Sequence, residues 1–217
     1  MEDSFRHQGM RRRMVEGLRA KGIVNEPVLQ AINKVPRHAF MDTAFLEMAY
    51  EDRAFPIAAD QTISQPYTVA YQTSLLDIKR GDKILEIGTG SGYQACVLLE
   101  MGARVFTIER QRELFDKTSK LLAALKYKPK MFFGDGFKGL PVDAPFDKII
   151  ITCGAPFIPP LLVQQVKIGG WMVIPLGEKE QRMTIVLRTS EDDFETREFD
   201  MFKFVPMLPD KVKNQLK

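Results

Sequence analysis

The chain has 217 residues, 45% of them hydrophobic, and its 31 Lys and Arg against 28 Asp and Glu give a net charge of +3. That length and apolar content can bury a core without disulfides, and the two cysteines, Cys96 and Cys153, are too few for a disulfide scaffold. The small charge excess argues against nucleic acid, and no apolar run approaches the length of a membrane span, so we expect a soluble cytoplasmic protein that binds neither nucleic acid nor membrane.

The first 79 residues are expected to form a helical cap that includes a long polar loop. Apolar residues recur at helical spacing from Met10 to Leu18, and Glu26-Pro27 opens a second helix. Residues 50–68 are rich in Pro, Asp, Gln, Ser and Thr without clear periodicity, and a long ordered loop of this kind is often functional. The helical pattern resumes from Thr68 to Asp77.

From Gly81 onward, short apolar strands alternate with helices, which predicts βαβ units and a parallel sheet with right-handed crossovers. The predicted strands are Lys83–Ile87, Arg104–Ile108, Lys130–Phe133, Lys148–Thr152 and Trp171–Ile174, and the predicted helices run through Leu99, over Glu113–Leu125 and over Ile158–Val166. Two final runs, Arg182–Arg188 and Glu198–Val205, leave no room for a helix between them and should pair antiparallel. We therefore predict one α/β domain over residues 1–217, with the cap at 1–79 and a Rossmann-like core at 80–217.

A glycine-rich turn follows the first core strand, in the segment Leu85-Glu86-Ile87-Gly88-Thr89-Gly90-Ser91-Gly92-Tyr93. Gly88 and Gly90 allow a sharp turn and a close approach of the backbone to a ligand. A dinucleotide-binding turn follows G-x-G-x-x-G, whereas this chain has Tyr93 at the sixth position. Its G-x-G-x-G pattern resembles the first motif of S-adenosylmethionine-dependent methyltransferases. The turn therefore predicts a site for S-adenosylmethionine, which would leave as S-adenosylhomocysteine.

Acidic residues end the next two strands in the same register. Glu109 is placed to accept hydrogen bonds from both ribose hydroxyls, a geometry that would also serve a nicotinamide nucleotide. Asp135-Gly136 lies where the methyltransferase superfamily places a polar contact to adenine. His7 and His38 have no acidic or cysteine partner at ligand spacing, so we expect no metal site. The predicted cofactor-binding residues are Gln61, Thr62, Ile63, Glu86, Gly88, Thr89, Gly90, Ser91, Gly92, Glu109, Arg110, Asp135 and Gly136.

The polar loop carries the most specific motif of the chain, Asp60-Gln61-Thr62-Ile63-Ser64-Gln65-Pro66-Tyr67. It resembles the signature loop of the protein-L-isoaspartate O-methyltransferases, G-Q-T-I-S-Q-P-Y/H, and we name residues 60–68 the substrate loop. Further matches extend from Ala49-Tyr50-Glu51-Asp52, through L-E-I-G-T-G-S-G-Y-Q-A at 85–95, to F-V-P-M-L at 204–208. Two departures are Asp60, where the family usually has Gly, and Thr152-Cys153-Gly154-Ala155, which replaces a commoner T-A-A-A.

The resemblance implies transfer of the sulfonium methyl group to the free α-carboxylate of L-isoaspartyl residues, and by extension of D-aspartyl residues. This esterification initiates repair of damaged proteins through a succinimide, so the partners would be isoaspartyl-containing peptides and proteins, and we expect a monomer. The resemblance also places Ser64 in the active site, as a hydrogen-bond donor near the reacting carboxylate. An alternative role for Ser64 is the N-cap of the helix ahead of Pro66.

Two other functions fit part of the sequence. Another small-molecule or protein methyltransferase would share the glycine turn, but that reading leaves Gln61 to Pro66 unexplained. A non-catalytic S-adenosylmethionine-binding module would keep the glycines and alter the substrate loop, which in this chain is nearly intact. Both alternatives are therefore less favoured than the esterification of isoaspartyl residues.

Overall fold

A seven-stranded sheet organises the computed structural model, which describes residues 3–213. Within this range the α-helices are α1 Phe5–Ala20, α2 Glu26–Lys34, α3 Pro66–Leu76, α4 Tyr93–Glu100, α5 Arg112–Ala124 and α6 Pro160–Val163. The strands are β1 Phe55–Pro56, β2 Thr62–Ile63, β3 Lys83–Ile87, β4 Arg104–Glu109, β5 Lys130–Phe133, β6 Phe146–Ile151, β7 Val166–Leu176, β8 Gln181–Arg188 and β9 Phe194–Phe202. Short 3-10 helices cover Arg37–Phe40, Thr43–Met48, Gly136–Lys138 and Pro141–Asp143.

The sheet has the strand order β5-β4-β3-β6-β7-β8-β9. Strands β3 to β7 are parallel, and β8 and β9 are antiparallel to their neighbours, as the sequence predicted. The chain builds outward from β3 to β5 and then returns to the other side of β3 with β6. Ligands of open α/β sheets bind at such a reversal, outside the carboxyl ends of the strands. The predicted Rossmann-like fold is confirmed within the described residues.

Several predicted element bounds are wrong, because tertiary contacts decide them. The predicted helix Ile158–Val166 shrinks to α6, since Val166 pairs with Phe146 and already belongs to β7. The last strand is β9 rather than Glu198–Val205. Beyond β9 the chain leaves the sheet, because the Phe204 N–H donates to Oε1 of Gln181 at 2.8 Å.

The N-terminal helices form a layer against α4 and α5 and bury a continuous apolar cluster that includes Leu18, Leu29 and Ile32. Each of the first two helices begins at a residue suited to the task. Ser4 caps α1 by accepting from the His7 N–H, and Asn25 caps α2 by accepting from the Val28 N–H at 3.2 Å. This packing fixes the cap beside the carboxyl ends of the strands, where the substrate loop begins.

The segment predicted as a loop at 50–68 contains a short hairpin of β1 and β2. Its turn has Ala59 at φ 57° and Asp60 at φ 54°, and the Gln61 N–H donates to the Ala58 carbonyl at 3.3 Å. Positive φ at both central residues defines a type I′ turn, which favours glycine and asparagine. The backbone therefore explains why glycine is usual at the position of Asp60.

Ala59→Gly should stabilise the fold by about 0.4–1 kcal/mol. A non-glycine residue in the left-handed region costs roughly 1–2 kcal/mol, and part of that gain is lost to the greater freedom of glycine in the unfolded chain. Denaturant unfolding measures the change. The matched control, Ala58→Gly, replaces a residue outside the left-handed region and should destabilise by a similar amount. A lower unfolding midpoint for Ala59→Gly would contradict the strain argument.

Candidate active site

A cavity opens at the carboxyl ends of β3, β4 and β6, under the substrate loop, and together with the solvent space at its mouth it spans about 850 Å³. It brings together most of the residues predicted from the sequence. Those that line it are Gln61, Thr62, Ile63, Ser64, Gly88, Thr89, Gly90, Ser91, Glu109, Arg110 and Gly136. Residues that are distant along the chain therefore share one pocket.

The glycine turn is held in place by neighbouring side chains. Gly88 has φ 97°, and a Cβ built on it would lie 2.7 Å from Oγ1 of Thr152, so a side chain is excluded there. The Thr152 hydroxyl is within 2.7 Å of the Gly88 carbonyl and 2.9 Å of the Ile87 carbonyl, to which it donates. The turn thus presents bare backbone to the pocket, which is what close approach of a ligand requires.

Glu109 ends β4 with its carboxylate fixed by two backbone donors. Its Oε2 accepts from the Gly90 N–H and its Oε1 from the Gln111 N–H, both at 2.8 Å. Burial raises the pKa of Glu109, and the hydrogen bonds from Gln111 and Gly90 oppose that effect. Each carboxylate oxygen keeps a further lone pair. The group can therefore accept from a pair of ligand hydroxyls, such as those of a ribose.

Arg110 lines the pocket, but its guanidinium is committed to the C-terminal segment. Nε donates to the Asp210 carbonyl and one terminal nitrogen to the Pro209 carbonyl, both at 3.0 Å. Its role is therefore to hold the chain that closes this side of the cavity, and its predicted contact with the cofactor stays a prediction.

Glu86 lies behind the wall of the pocket rather than on it. It is fully buried, and burial raises its pKa to about 8. The Thr107 hydroxyl donates to Oε2 of Glu86 at 2.5 Å and lies 2.6 Å from the hydroxyl of Thr89, which does line the pocket. Glu86 is thus connected to the cavity wall by a chain of hydrogen bonds through the hydroxyls of Thr107 and Thr89.

Two further predicted residues also lie off the pocket wall. Gly92 has φ 85° at the start of α4, and a Cβ there would lie 2.8 Å from Cγ2 of Thr118. Glycine at this position therefore allows the start of α4 to pack closely against Thr118 of α5. Asp135 is buried, and its Oδ1 accepts from the Phe137 N–H at 2.9 Å, which caps a short 3-10 helix. Its neighbour Gly136 does line the cavity.

Ser64 faces the cavity and is not a helix cap. The N-cap of α3 is Gln65, which makes no side-chain cap, and the Tyr67 N–H donates instead to Oδ1 of Asp52 at 2.7 Å. The expectation of a capping role for Ser64 is therefore wrong. Among the described residues, the Ser64 hydroxyl makes no hydrogen bond to the protein. It is available to a ligand.

Arg37 positions this loop and was not identified from the sequence. Its side chain is completely buried, Nε donates to the Ala49 carbonyl at 3.0 Å and a terminal nitrogen donates to the Ser64 carbonyl at 2.8 Å. The guanidinium also stacks 4.9 Å from the ring centroid of Tyr93. Burial lowers the pKa of Arg37 to about 10, so it stays charged at neutral pH. No local pattern distinguishes it from a surface arginine.

His7 and His38 have an acidic neighbour that sequence spacing did not reveal. Their rings stack at 3.8 Å, and a carboxylate oxygen of Asp3 lies within 4.8 Å of a nitrogen on each ring. The Asp3 carboxylate, however, accepts from both terminal nitrogens of Arg11, at 3.0 and 2.8 Å. A guanidinium in this position already neutralises the carboxylate and disfavours a second cation.

Cys153 lines the pocket beside Gly88. Burial raises the pKa of its thiol to about 12. The thiol is therefore protonated at neutral pH and is a poor nucleophile.

Within residues 3–213, no helix is both long and apolar enough to cross a bilayer.

Comparison with known proteins identifies relatives over the whole length of the chain. The family described as protein-L-isoaspartate(D-aspartate) O-methyltransferase matches residues 9–212. A protein-L-isoaspartate O-methyltransferase of Christiangramia forsetii is 57% identical over 212 residues, which cover 97% of this chain and 100% of the relative. The enzyme of the same description from Flavobacterium johnsoniae is 58% identical with the same coverage.

Solved structures agree with the fold. A protein-L-isoaspartate O-methyltransferase with 24% identity superposes with a TM-score of 0.82, over 90% of this chain and 65% of that one. A Plasmodium falciparum protein of the same description, solved in complex with S-adenosyl-L-homocysteine, has 21% identity and a TM-score of 0.79, over 91% of this chain and 98% of that one.

Glu109→Ala should weaken binding of S-adenosylhomocysteine about 10- to 100-fold, because hydrogen bonds to a charged group contribute roughly 1.5–3 kcal/mol. Isothermal titration calorimetry measures the affinity without turnover. Glu113→Ala, an exposed carboxylate in the first turn of α5, is the matched control and should bind normally. An unchanged affinity for Glu109→Ala would show that the ribose is held elsewhere.

Proposed function

The chain belongs to the protein-L-isoaspartate(D-aspartate) O-methyltransferase family, and we propose that Ser64 faces the reacting carboxylate in its pocket. The enzyme uses S-adenosylmethionine to methylate L-isoaspartyl residues of proteins on their free α-carboxylate. The observation that supports the role of Ser64 is its position on the same cavity as the glycine turn and Glu109.

The residues present fit S-adenosylmethionine. Glu109 keeps lone pairs for the two ribose hydroxyls, and the bare backbone at Gly88 and Gly90 allows the close approach of the methionyl part. Gln61, Thr62 and Ile63 cover the cavity from the substrate loop. When bound, S-adenosylmethionine supplies an electrophilic methyl group on a sulfonium ion. Everything else in the reaction depends on how the chain aligns the nucleophile.

The nucleophile needs no general base. An α-carboxylate has a pKa near or below ~4 and is already ionised at neutral pH. The protein must therefore align carboxylate and methyl group and exclude water, and alignment alone can supply roughly 7–11 kcal/mol of the barrier. The pocket fits this requirement, since its thiol, Cys153, is protonated and its walls offer hydroxyl and amide groups. Exclusion of water also favours a transition state in which both charges shrink.

The Ser64 hydroxyl is suited to orient that carboxylate. It lies on the pocket wall, and within the described chain it has no competing hydrogen-bond acceptor. Its backbone carbonyl accepts from the buried Arg37, so the backbone that carries the side chain is tied to buried structure. A donor fixed in this way loses little entropy when the substrate binds.

We extend the proposal to the finer points of substrate and assembly. The enzyme acts as a monomer on peptides and on exposed segments of damaged proteins, including D-aspartyl residues, which the family description names. Nucleic acid is not a substrate, in keeping with a net charge of only +3. A different methyltransferase or a non-catalytic binding module would not explain why a serine with a free hydroxyl lies on the cavity wall and has its carbonyl bound by Arg37.

Ser64→Ala should lower kcat on an isoaspartyl peptide about 10- to 100-fold, because it removes a hydrogen bond to a charged group. Release of base-labile methyl ester measures turnover, and affinity for S-adenosylhomocysteine should stay close to that of the wild type. The matched control is Ser74→Ala on α3, whose hydroxyl donates to the Ala70 carbonyl outside the pocket.

Preserved kcat in Ser64→Ala would remove the proposed role of this serine while leaving the activity intact. Failure of the wild-type protein to esterify the isoaspartyl peptide would instead contradict the function itself. The two outcomes are distinguishable because the first compares variants and the second concerns the unmodified chain.

A further inference from the structure

The amide of Gln94 has one defined orientation. Gln94 lies in the first turn of α4, is only 8% exposed and lines the cavity. Its Nε2 donates to Oγ1 of Thr73 at 2.9 Å. The Thr73 hydroxyl uses its hydrogen on the Val69 carbonyl at 2.7 Å, so Oγ1 is left as an acceptor. The Gln94 nitrogen must therefore point to Thr73 and its oxygen away from it.

That oxygen has no hydrogen-bond partner among the described residues. Oε1 of Gln94 is buried from solvent and accepts from no donor of the protein. Leaving a buried acceptor unsatisfied is costly, and rotating the amide would only bring two acceptors, Oε1 and the Thr73 Oγ1, face to face and leave Nε2 without an acceptor. A ligand that donates a hydrogen bond would satisfy the group.

The position of Gln94 along the cavity indicates which ligand atom this is. Glu109 contacts the glycine turn at 88–91 through the Gly90 N–H, and the turn leads directly into α4, whose first turn carries Gln94 on the same cavity. A nucleoside whose ribose is held by Glu109 would extend its methionyl tail along the turn toward Gln94. That tail carries a carboxylate, which accepts, and an ammonium, which donates.

We propose that Oε1 of Gln94 accepts a hydrogen bond from the α-ammonium of S-adenosylmethionine. This assignment rests on the proposed function and gives Gln94 a role in selecting the amino-acid part of the cofactor. An amide oxygen is a suitable partner, because an ammonium has three donors and no acceptor, whereas the neighbouring carboxylate has nothing to donate. The Thr73–Val69 pair is the support that holds the oxygen in place.

The test compares two ligands that differ in the methionyl tail. S-adenosylhomocysteine carries the ammonium, and 5′-methylthioadenosine lacks the whole amino-acid group. Gln94→Leu should weaken S-adenosylhomocysteine about 10- to 100-fold in calorimetric titration and leave the binding of 5′-methylthioadenosine unchanged. An analogue of S-adenosylhomocysteine without its amino group should likewise be indifferent to the substitution.

Gln94→Glu is the conservative variant that separates binding from packing. It keeps an oxygen acceptor and loses only the donation to Thr73, whose hydroxyl can turn its hydrogen from the Val69 carbonyl to the new carboxylate, so it should restore most of the preference for S-adenosylhomocysteine that Gln94→Leu loses. A general packing defect would not be rescued in this ligand-dependent way.

Three results would overturn the assignment. The first is an equal loss of affinity for S-adenosylhomocysteine and for 5′-methylthioadenosine in Gln94→Leu. The second is an unchanged affinity of this variant for S-adenosylhomocysteine. The third is a variant in which only the KM for the peptide rises, which would identify a substrate amide as the donor. The proposed function is judged separately, since it fails only if the wild-type protein does not bind S-adenosylhomocysteine or does not form methyl ester.

Discussion

The buried guanidinium of Arg37 is the contact on which the geometry of the site depends. A charge removed from water is costly unless its hydrogen bonds are made, and Arg37 donates from Nε to the Ala49 carbonyl and from Nη2 to the Ser64 carbonyl, while its Nη1 has no acceptor among the described residues. The cap and the substrate loop are thereby joined by one planar group. Because the Ser64 carbonyl accepts a hydrogen bond from this buried cation, moving the loop away would leave the guanidinium without one of its acceptors. The position of Ser64 is thus coupled to the core of the cap.

The glycine turn, which forms another wall of the cavity, is held in a similar way by side chains that hydrogen-bond to its backbone. Glu109 accepts from the Gly90 N–H, and the Thr152 hydroxyl lies within hydrogen-bond distance of the carbonyls of Ile87 and Gly88, so protein side chains hold the glycine turn without a ligand. Prearranged walls suit a reaction that needs no proton transfer, since the only catalytic gain available is alignment and desolvation.

Local sequence patterns predicted the features that arise locally. Strand-helix alternation gave the parallel sheet, and the G-x-G-x-G turn with Glu109 located the cavity. Features that depend on distant contacts were missed or misplaced. Arg37 contacts Ser64 across the fold, the orientation of Gln94 is decided by a hydroxyl on α3, and α6 is shortened because Val166 joins the sheet. The cap expected of Ser64 failed because Asp52, remote in sequence, already serves the start of α3.

The most direct test of this account compares two peptides that differ only in an isoaspartyl or a normal aspartyl residue. In the isoaspartyl form the free carboxylate lies on a stub one methylene shorter, and a rigid loop would place the longer carboxymethyl group out of line with the methyl group. Misplacement on this scale can cost on the order of 100-fold or more in rate. The account predicts at least that ratio of kcat/KM in favour of the isoaspartyl peptide. Comparable values for the two peptides would show that the loop does not fix the nucleophile, and would contradict it.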